Sequence, residues 1–306
     1  MISRPTVLIL GAGASNPYGY PLGNELVGRI GGLTGPGGGL RTPLLSRDAE
    51  VQQFHQRLIG AEIDSIDDFL ESNPTFQALG KVCIAAALTV WGPVSTHTPR
   101  PDRDWYRYLW GRLHEGAGTT QGFRSNRLRV ITYNYDTSLE RYLSRVLANA
   151  FPDLAAQGEE AAAAFAADAL PIVHLHGSLG DAEAVVRAAP DRRVFATPDF
   201  LQKAAGGIVI VHEDQRSNEY ATAHKWLREA EAVYLLGFGF HPTNMKRLDL
   251  VTQARMGGHW RAWGGTAFGL EEAERLRAVA PLRELGQTQL VNVDCLTYLR
   301  AYAAFG

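Results

Sequence analysis

A short, uninterrupted apolar run, Thr6-Val-Leu-Ile-Leu10, passes directly into Gly11-Ala-Gly-Ala-Ser15, and this junction constrains the fold of the 306-residue chain more than any other feature. Continuous Val/Ile/Leu character, without polar alternation, predicts a strand covered on both faces, as in a parallel sheet. A glycine-rich turn opening a helix is how a βα unit begins. The same character recurs at Leu128 to Thr132, Ile172 to Leu175, Gly207 to Val211 and Ala232 to Leu236, and more weakly at Thr266 to Gly269 and Gln289 to Val293. Helical spacing follows several of these runs, at Asp136 to Asn149, Thr243 to Met256 and Glu271 to Ala280. Strand-then-helix order predicts an α/β, Rossmann-like fold, with a largely parallel sheet and helices on both faces.

Between the first strand and Leu128 the helical spacing dominates: Ala49 to Ile59, Ile63 to Leu70, Thr75 to Thr89 and Trp105 to His114. We therefore expect one domain over residues 1–306 with a helical insertion at 31–125. Gly31, Gly32, Gly35, Gly37, Gly38 and Gly39 crowd around Pro36, a composition that predicts a mobile loop rather than a helix. It reads as a surface connection, or else as a lid over a pocket. The Ala-rich stretch Leu154 to Ala169 predicts a further helix.

Composition narrows the function. Thirty basic against thirty-two acidic side chains leave a net charge of −2, which offers no electrostatic footprint for direct nucleic-acid binding. The longest apolar run, Val82 to Trp91, falls short of the roughly twenty residues of a membrane helix, so no membrane association is expected. The apolar stretch at Val7 to Leu10 is shorter than the about seven to fifteen residues of a secretory signal core. Two cysteines, Cys83 and Cys295, cannot build a disulfide framework or a structural zinc knuckle. The expectation is a cytoplasmic protein without a metal. The six tryptophans read as core or interface packing.

Four strand ends carry residues suited to chemistry. Gly11 and Gly13 are placed to let backbone N–H groups approach a pyrophosphate, although the third glycine of a dinucleotide fingerprint would fall at Asn16 and is absent. Thr132-Tyr-Asn-Tyr-Asp136 puts Asn134 and Asp136 at the carboxyl edge of the sheet, where open α/β folds collect ligands; a helix cap and a local turn are the structural alternatives. His174-Leu-His-Gly-Ser178 places two histidines on one face if the strand continues that far, with Gly177 exposing His176 at the edge. No companion ligands support a metal there, whereas a histidine suits a general base. Leu236-Gly-Phe-Gly-Phe-His-Pro-Thr-Asn244 and Val291-Asn-Val-Asp-Cys295 complete the set.

Taken in order, Gly11 to Ser15, Thr132 to Asp136, His174 to Ser178 and Leu236 to Asn244 resemble the sirtuin-like family, and more narrowly its bacterial NAD-hydrolysing branch. The resemblance implies a Rossmann-like domain with a helical subdomain inserted and NAD+ as substrate. It matches Gly11, Ala12, Gly13 and Ser15 to the family's phosphate-binding turn, Asn134 to its ribose-holding Asn, Asp136 to the acid two residues on, and His176 to the catalytic His. Gly237 and Gly239 match a ligand-lining turn, with Phe238 or Phe240 where a small hydroxyl residue is usual. Asp294 and Cys295 match an adenine-side turn, and Asn24 with Pro17 to Pro21 matches the flexible segment after the first glycine turn.

The protein-deacylating sirtuins carry a four-cysteine zinc module, which two cysteines cannot supply. What the resemblance leaves is cleavage of the nicotinamide–ribose bond to nicotinamide and ADP-ribose. It also implies a gated effector of anti-phage defence, held as a homo-oligomer or by a regulatory partner such as a helicase-like ATPase or an Argonaute-like protein. An NAD or ADP-ribose sensor without turnover and an ADP-ribosyltransferase share most of these residues and stay open at this stage. A plain Rossmann oxidoreductase lacks its third glycine and ribose-binding acid.

Overall fold

The computed structural model describes residues 1–40, 44, 47–92, 101–210, 218–258, 260–286 and 289–305. Its strands are β1 (Thr6–Leu10), β2 (Leu128–Thr132), β3 (Ile172–His174), β4 (Ala232–Leu236), β5 (Ala262–Thr266) and β6 (Gln289–Val291). They form one six-stranded sheet in the order β3-β2-β1-β4-β5-β6, and every pairing is parallel. This is the Rossmann strand order, in which the chain reverses its direction of winding between β1 and β4.

The apolar runs carry no alternation because both faces are buried. Leu8, Leu10, Leu128, Val130, Ala232, Tyr234 and Leu236 enter one core; Val7, Ile9, Ile131, Val233 and Leu235 enter the other. Successive side chains of a strand point to opposite faces, so each run feeds two helical layers. In register, Leu8 sits between Val130 and Tyr234 at the centre of the sheet.

The helical segment between β1 and β2 includes Gly23–Thr34, Asp48–Gly60, Ile66–Ser72, Gln77–Leu88 and Trp105–His114. Gly31 and Gly32, expected in a loop, lie inside the first of these helices. The reason is packing: a Cβ at Gly31 would lie 2.8 Å from Ile59 Cδ1, so the glycine lets the helix Asp48–Gly60 approach closely.

Further expectations are corrected. Gly207 to Ile210 forms no strand, and Val211 lies outside the described residues. This segment turns back on the loop after β3. The Ser178 N–H donates to Gly207 O (3.0 Å) and the Val209 N–H to His176 O (2.9 Å), with an isolated antiparallel bridge between Gly177 and Ile208, so it cannot join a parallel ladder. Strand β5 precedes the expected Thr266 to Gly269 because its Trp-Gly-Gly core disguises it; a Cβ at Gly265 would lie 2.3 Å from Leu235 O. Asp249 (φ 45°) divides Pro242–Leu248 from Leu250–Gly257, and Gly158 (φ 93°) divides Pro152–Gln157 from Glu159–Ala169, each expected as one helix.

Candidate functional site

At the switch between β1 and β4 the two glycine turns interlock. The Gly11 N–H donates to Leu236 O (3.1 Å) and the Gly13 N–H to Gly237 O (3.0 Å). A Cβ at Gly11 would lie 2.6 Å from Gly237 O, and one at Gly13 would lie 2.8 Å from Gly237 Cα. These glycines serve the approach of one backbone to another. Their N–H groups, expected to face a pyrophosphate, are held by the end of β4. The turn is fixed from below by Trp105, whose Nε1–H donates to Ala14 O (2.8 Å).

Asn134 ties β2 to this turn. Its Nδ2 donates to Gly11 O (3.0 Å) and to Ser15 Oγ (2.9 Å), and its own N–H is held by Thr132 Oγ1 (3.0 Å). Both side chains are buried. Ala12 begins the short helical turn that carries Ser15. Gly11, Ser15 and Asn134 thus share one hydrogen-bonded group, beside which Gly13 bonds to Gly237 O.

The two histidines part company. Strand β3 ends at His174, and the Leu175 N–H donates to Thr132 O (2.9 Å) before the chain turns at Gly177 (φ 68°). His174 lies between Asn134 O (2.8 Å from Nδ1) and the Glu140 carboxylate (2.5 Å from Nε2), two acceptors that call for a proton on each ring nitrogen. Burial lowers its pKa, and Glu140 with Asn134 O outweighs burial and raises it. His176 is buried, at 4% exposure, where the sequence suggested an exposed edge. It packs edge-on to Tyr133, with ring centroids 5.2 Å apart, and against Tyr135. Its Nδ1 lies 3.5 Å from Asp67 Oδ1, and its buried Nε2 has no hydrogen-bond partner among the described residues.

Asp67, on the helix Ile66–Ser72, escaped the sequence reading. It accepts a hydrogen bond from Tyr135 OH. Burial pushes its carboxyl up, but the attraction and hydrogen bond of His176, the Tyr135 hydroxyl and Arg247 hold it below the ordinary carboxylate range. No motif marks it. The available signal is the spacing of Asp67, Asp68 and Glu71 beside the apolar Ile66, Phe69 and Leu70, which reads as a solvated helix face.

Asp136 accepts from the Ser138 N–H (3.1 Å) and from the Ser138 hydroxyl. Burial and then the nearby Glu183 push its pKa up to about 6, against hydrogen bonds from Ser138 and Ser15. Glu183, also missed, is fully buried and accepts from Tyr20 OH, the Thr137 N–H (2.9 Å) and Arg141 (2.9 Å). Asp136 is therefore both the turn-forming residue of the helix Ser138–Ala150 and part of a buried polar group beside Ser15.

Residues 128–260 match the family described as the SIR2-like domain. This part of the chain is SIR2-like. A comparison with curated proteins finds no match. The matched span runs from the first residue of β2 to just before β5 and holds Asn134, Asp136, His176, Gly237 and Gly239; the Gly11 to Ser15 turn packs against it from outside. A SIR2-like domain points to chemistry on NAD+.

At the end of β4, Gly237 (φ 57°) donates its N–H to Thr266 Oγ1 (2.7 Å), linking the ends of β4 and β5. Gly239 has open space where a Cβ would stand. Phe238 and Phe240 are buried, and Phe240 holds a left-handed backbone (φ 54°) that its side chain disfavours. Asp294 caps the helix Cys295–Ala301 by accepting from the Thr297 N–H (2.8 Å), and burial pushes the Cys295 thiol up to about 12. Asn24 is exposed in the first turn of its helix, where Oδ1 accepts from the adjacent Glu25 N–H (2.8 Å), a local contact that does not join it to the Asn134 group. Among the described residues no helix is long and apolar enough to cross a membrane.

Proposed function

We propose that this chain is an NAD+ glycohydrolase, converting NAD+ and water to nicotinamide, ADP-ribose and a proton. The observation that carries the reading is the His176 Nε2: a buried imidazole nitrogen with no hydrogen-bond partner among the described residues, two residues beyond the end of β3, as Asn134 stands two residues beyond the end of the neighbouring β2. A buried polar atom left unpaired is costly, and such atoms collect where a reacting group is to be received.

Cleavage of the glycosidic bond develops oxocarbenium character on the ribose, so the site must hold the sugar, favour positive charge and admit one water. Asn134 has both Nδ2 hydrogens committed to Gly11 and Ser15, which leaves Oδ1 to accept from a ribose hydroxyl or from the water. His176 takes the proton at Nε2. Asp136, ionised above about pH 6, favours the cationic ring. Gly11, Ala12, Gly13 and Ser15 shape the phosphate side, with Gly237 and Gly239 as the facing turn and Asp294 with Cys295 on the adenine side. Lysine deacylation is disfavoured because two cysteines cannot form a four-cysteine zinc module.

The same reading extends to context. Unchecked hydrolysis would exhaust the NAD+ of its own cell, so we place the chain as a gated cytoplasmic effector of bacterial anti-phage defence. Its gate is assembly with further copies or with a regulatory protein, helicase-like or Argonaute-like. Incubation of the purified chain with NAD+ over a range of protein concentrations, with nicotinamide followed by chromatography, tests the activity. Release lost in both Asn134→Ala and His176→Ala supports it; release that survives in both variants overturns the assigned site.

A further inference from the structure

The helix Ile66–Ser72 is held rigidly on one side and charged on the other. Ile66, Phe69 and Leu70 are buried, and Phe69 packs on Phe54 and Phe76. Its N-terminus is closed by Ser65, whose Oγ accepts from the Asp68 N–H (3.3 Å). The opposite side presents acids that each meet a base from the SIR2-like part: Asp67 meets His176 (3.5 Å), Asp68 meets His241 (2.9 Å) and Glu71 meets Arg247 (2.9 Å). Tyr135, from the loop after β2, donates its hydroxyl to Asp67 and fixes that carboxylate from the other direction.

We propose that Asp67 is the positioning residue for His176, holding the imidazole with its proton on Nδ1 so that Nε2 is the acceptor, and stabilising the imidazolium that forms. The proposal rests on the glycohydrolase reading for its chemistry, and on the geometry alone for the tautomer. A carboxylate beside one ring nitrogen selects the tautomer in which that nitrogen carries the hydrogen, leaving the lone pair on the other. With Asp67 at Nδ1, the nitrogen that remains is the buried Nε2, which has no hydrogen-bond partner among the described residues. In the reaction an O–H bond of water breaks as its oxygen bonds to the anomeric carbon, the proton passes to Nε2, and the pair becomes an imidazolium facing a carboxylate. The proton then leaves to solvent and the dyad is restored. Asp67 precedes the span 128–260, so the segment between β1 and β2 completes the base.

Asp67→Asn keeps the shape and offers an N–H where Nδ1 needs an acceptor. The expected result is a fall in kcat of about a hundredfold or more, with KM within about twofold, as for other orienting carboxylates. The acidic limb of the pH–rate profile, where a base is taken out of use by protonation, should shift with it; Asp67, Tyr133, Tyr135 and the nearby Arg247 are the titratable groups around the ring among the described residues. Nitrogen NMR of histidine-labelled protein should show the proton on Nδ1 in the native chain and its loss from that atom in Asp67→Asn. This readout needs no turnover, so it separates failure of the dyad from failure of the glycohydrolase reading. Asp67→Glu should recover part of kcat and serves if the Asn variant does not fold. Asp68→Asn, which breaks the neighbouring pair with His241, should lower stability and leave the pH profile in place. Unchanged kcat, pH profile and tautomer in Asp67→Asn would overturn the proposal.

Discussion

The carboxyl of Asp136 and the carboxylate of Glu183 are buried close together, and burial followed by that repulsion raises Asp136 to about 6 from an ordinary 3.8. A folded-state value above the unfolded one means that the fold binds the proton more tightly. The Asp136 charge therefore opposes folding in full above about pH 6, and that opposition disappears as pH falls below about 4. Asp136→Asn is expected to raise the urea midpoint at pH 8, with the gain shrinking towards pH 4. Urea unfolding at the two pH values checks the sign.

Gly237 holds φ 57° with Ala14 N only 2.0 Å from where a Cβ would stand. Gly237→Ala should cost about 3 kcal/mol or more, combining left-handed strain with displacement of the Gly11 to Ser15 turn. Gly239 meets nothing within 4 Å of a built Cβ, so Gly239→Ala should change stability by less than about 0.5 kcal/mol. Thermal unfolding of the two variants compares them directly.

The contribution of His174 to stability should depend on pH. His174→Gln loses the contact with Glu140 and that with Asn134 O, at a cost of about 1–3 kcal/mol. Because the folded pKa of His174 is raised, its contribution is complete below the ordinary 6.5 and is lost as pH rises through the folded value. The deficit of His174→Gln should be larger at pH 6 than at pH 9. His176→Ala should remove activity and also lower the unfolding midpoint, since it deletes a buried ring packed on Tyr133 and Tyr135 and leaves the Asp67 carboxylate without that partner.

Both cysteines should resist thiol reagents in the folded protein. Burial pushes the Cys295 thiol up to about 12 and the Cys83 thiol higher still. Titration with a chromogenic disulfide should show slow reaction in buffer and fast reaction of both thiols in denaturant.

The strands were legible because double-sided burial writes unbroken apolar runs at Thr6, Leu128 and Ala232. Their spatial order was not, since register depends on pairings between residues such as Leu8 and Tyr234 that are distant in the chain. Strand β5 hid behind glycines that close contact with Leu235 demands, and the run at Gly207 misled because its apolar residues cover the His176 turn instead of joining the sheet. At the site, Asn134 and His176 announced themselves at strand ends. Asp67 and Glu183 did not, because a carboxylate on a helix looks solvated until tertiary packing sets a histidine or a tyrosine against it. The role of Gly11 and Gly13 also changed for a non-local reason: the turn they meet lies after β4.

The most direct test of the central claim is the fate of NAD+ incubated with the purified native chain and with His176→Ala, resolved into NAD+, nicotinamide and ADP-ribose. Nicotinamide and ADP-ribose are expected in equal amounts from the native chain, and intact NAD+ from the variant. Tight binding of NAD+ by the native chain, with the dinucleotide recovered whole at every protein concentration, would contradict it and make the site a sensor.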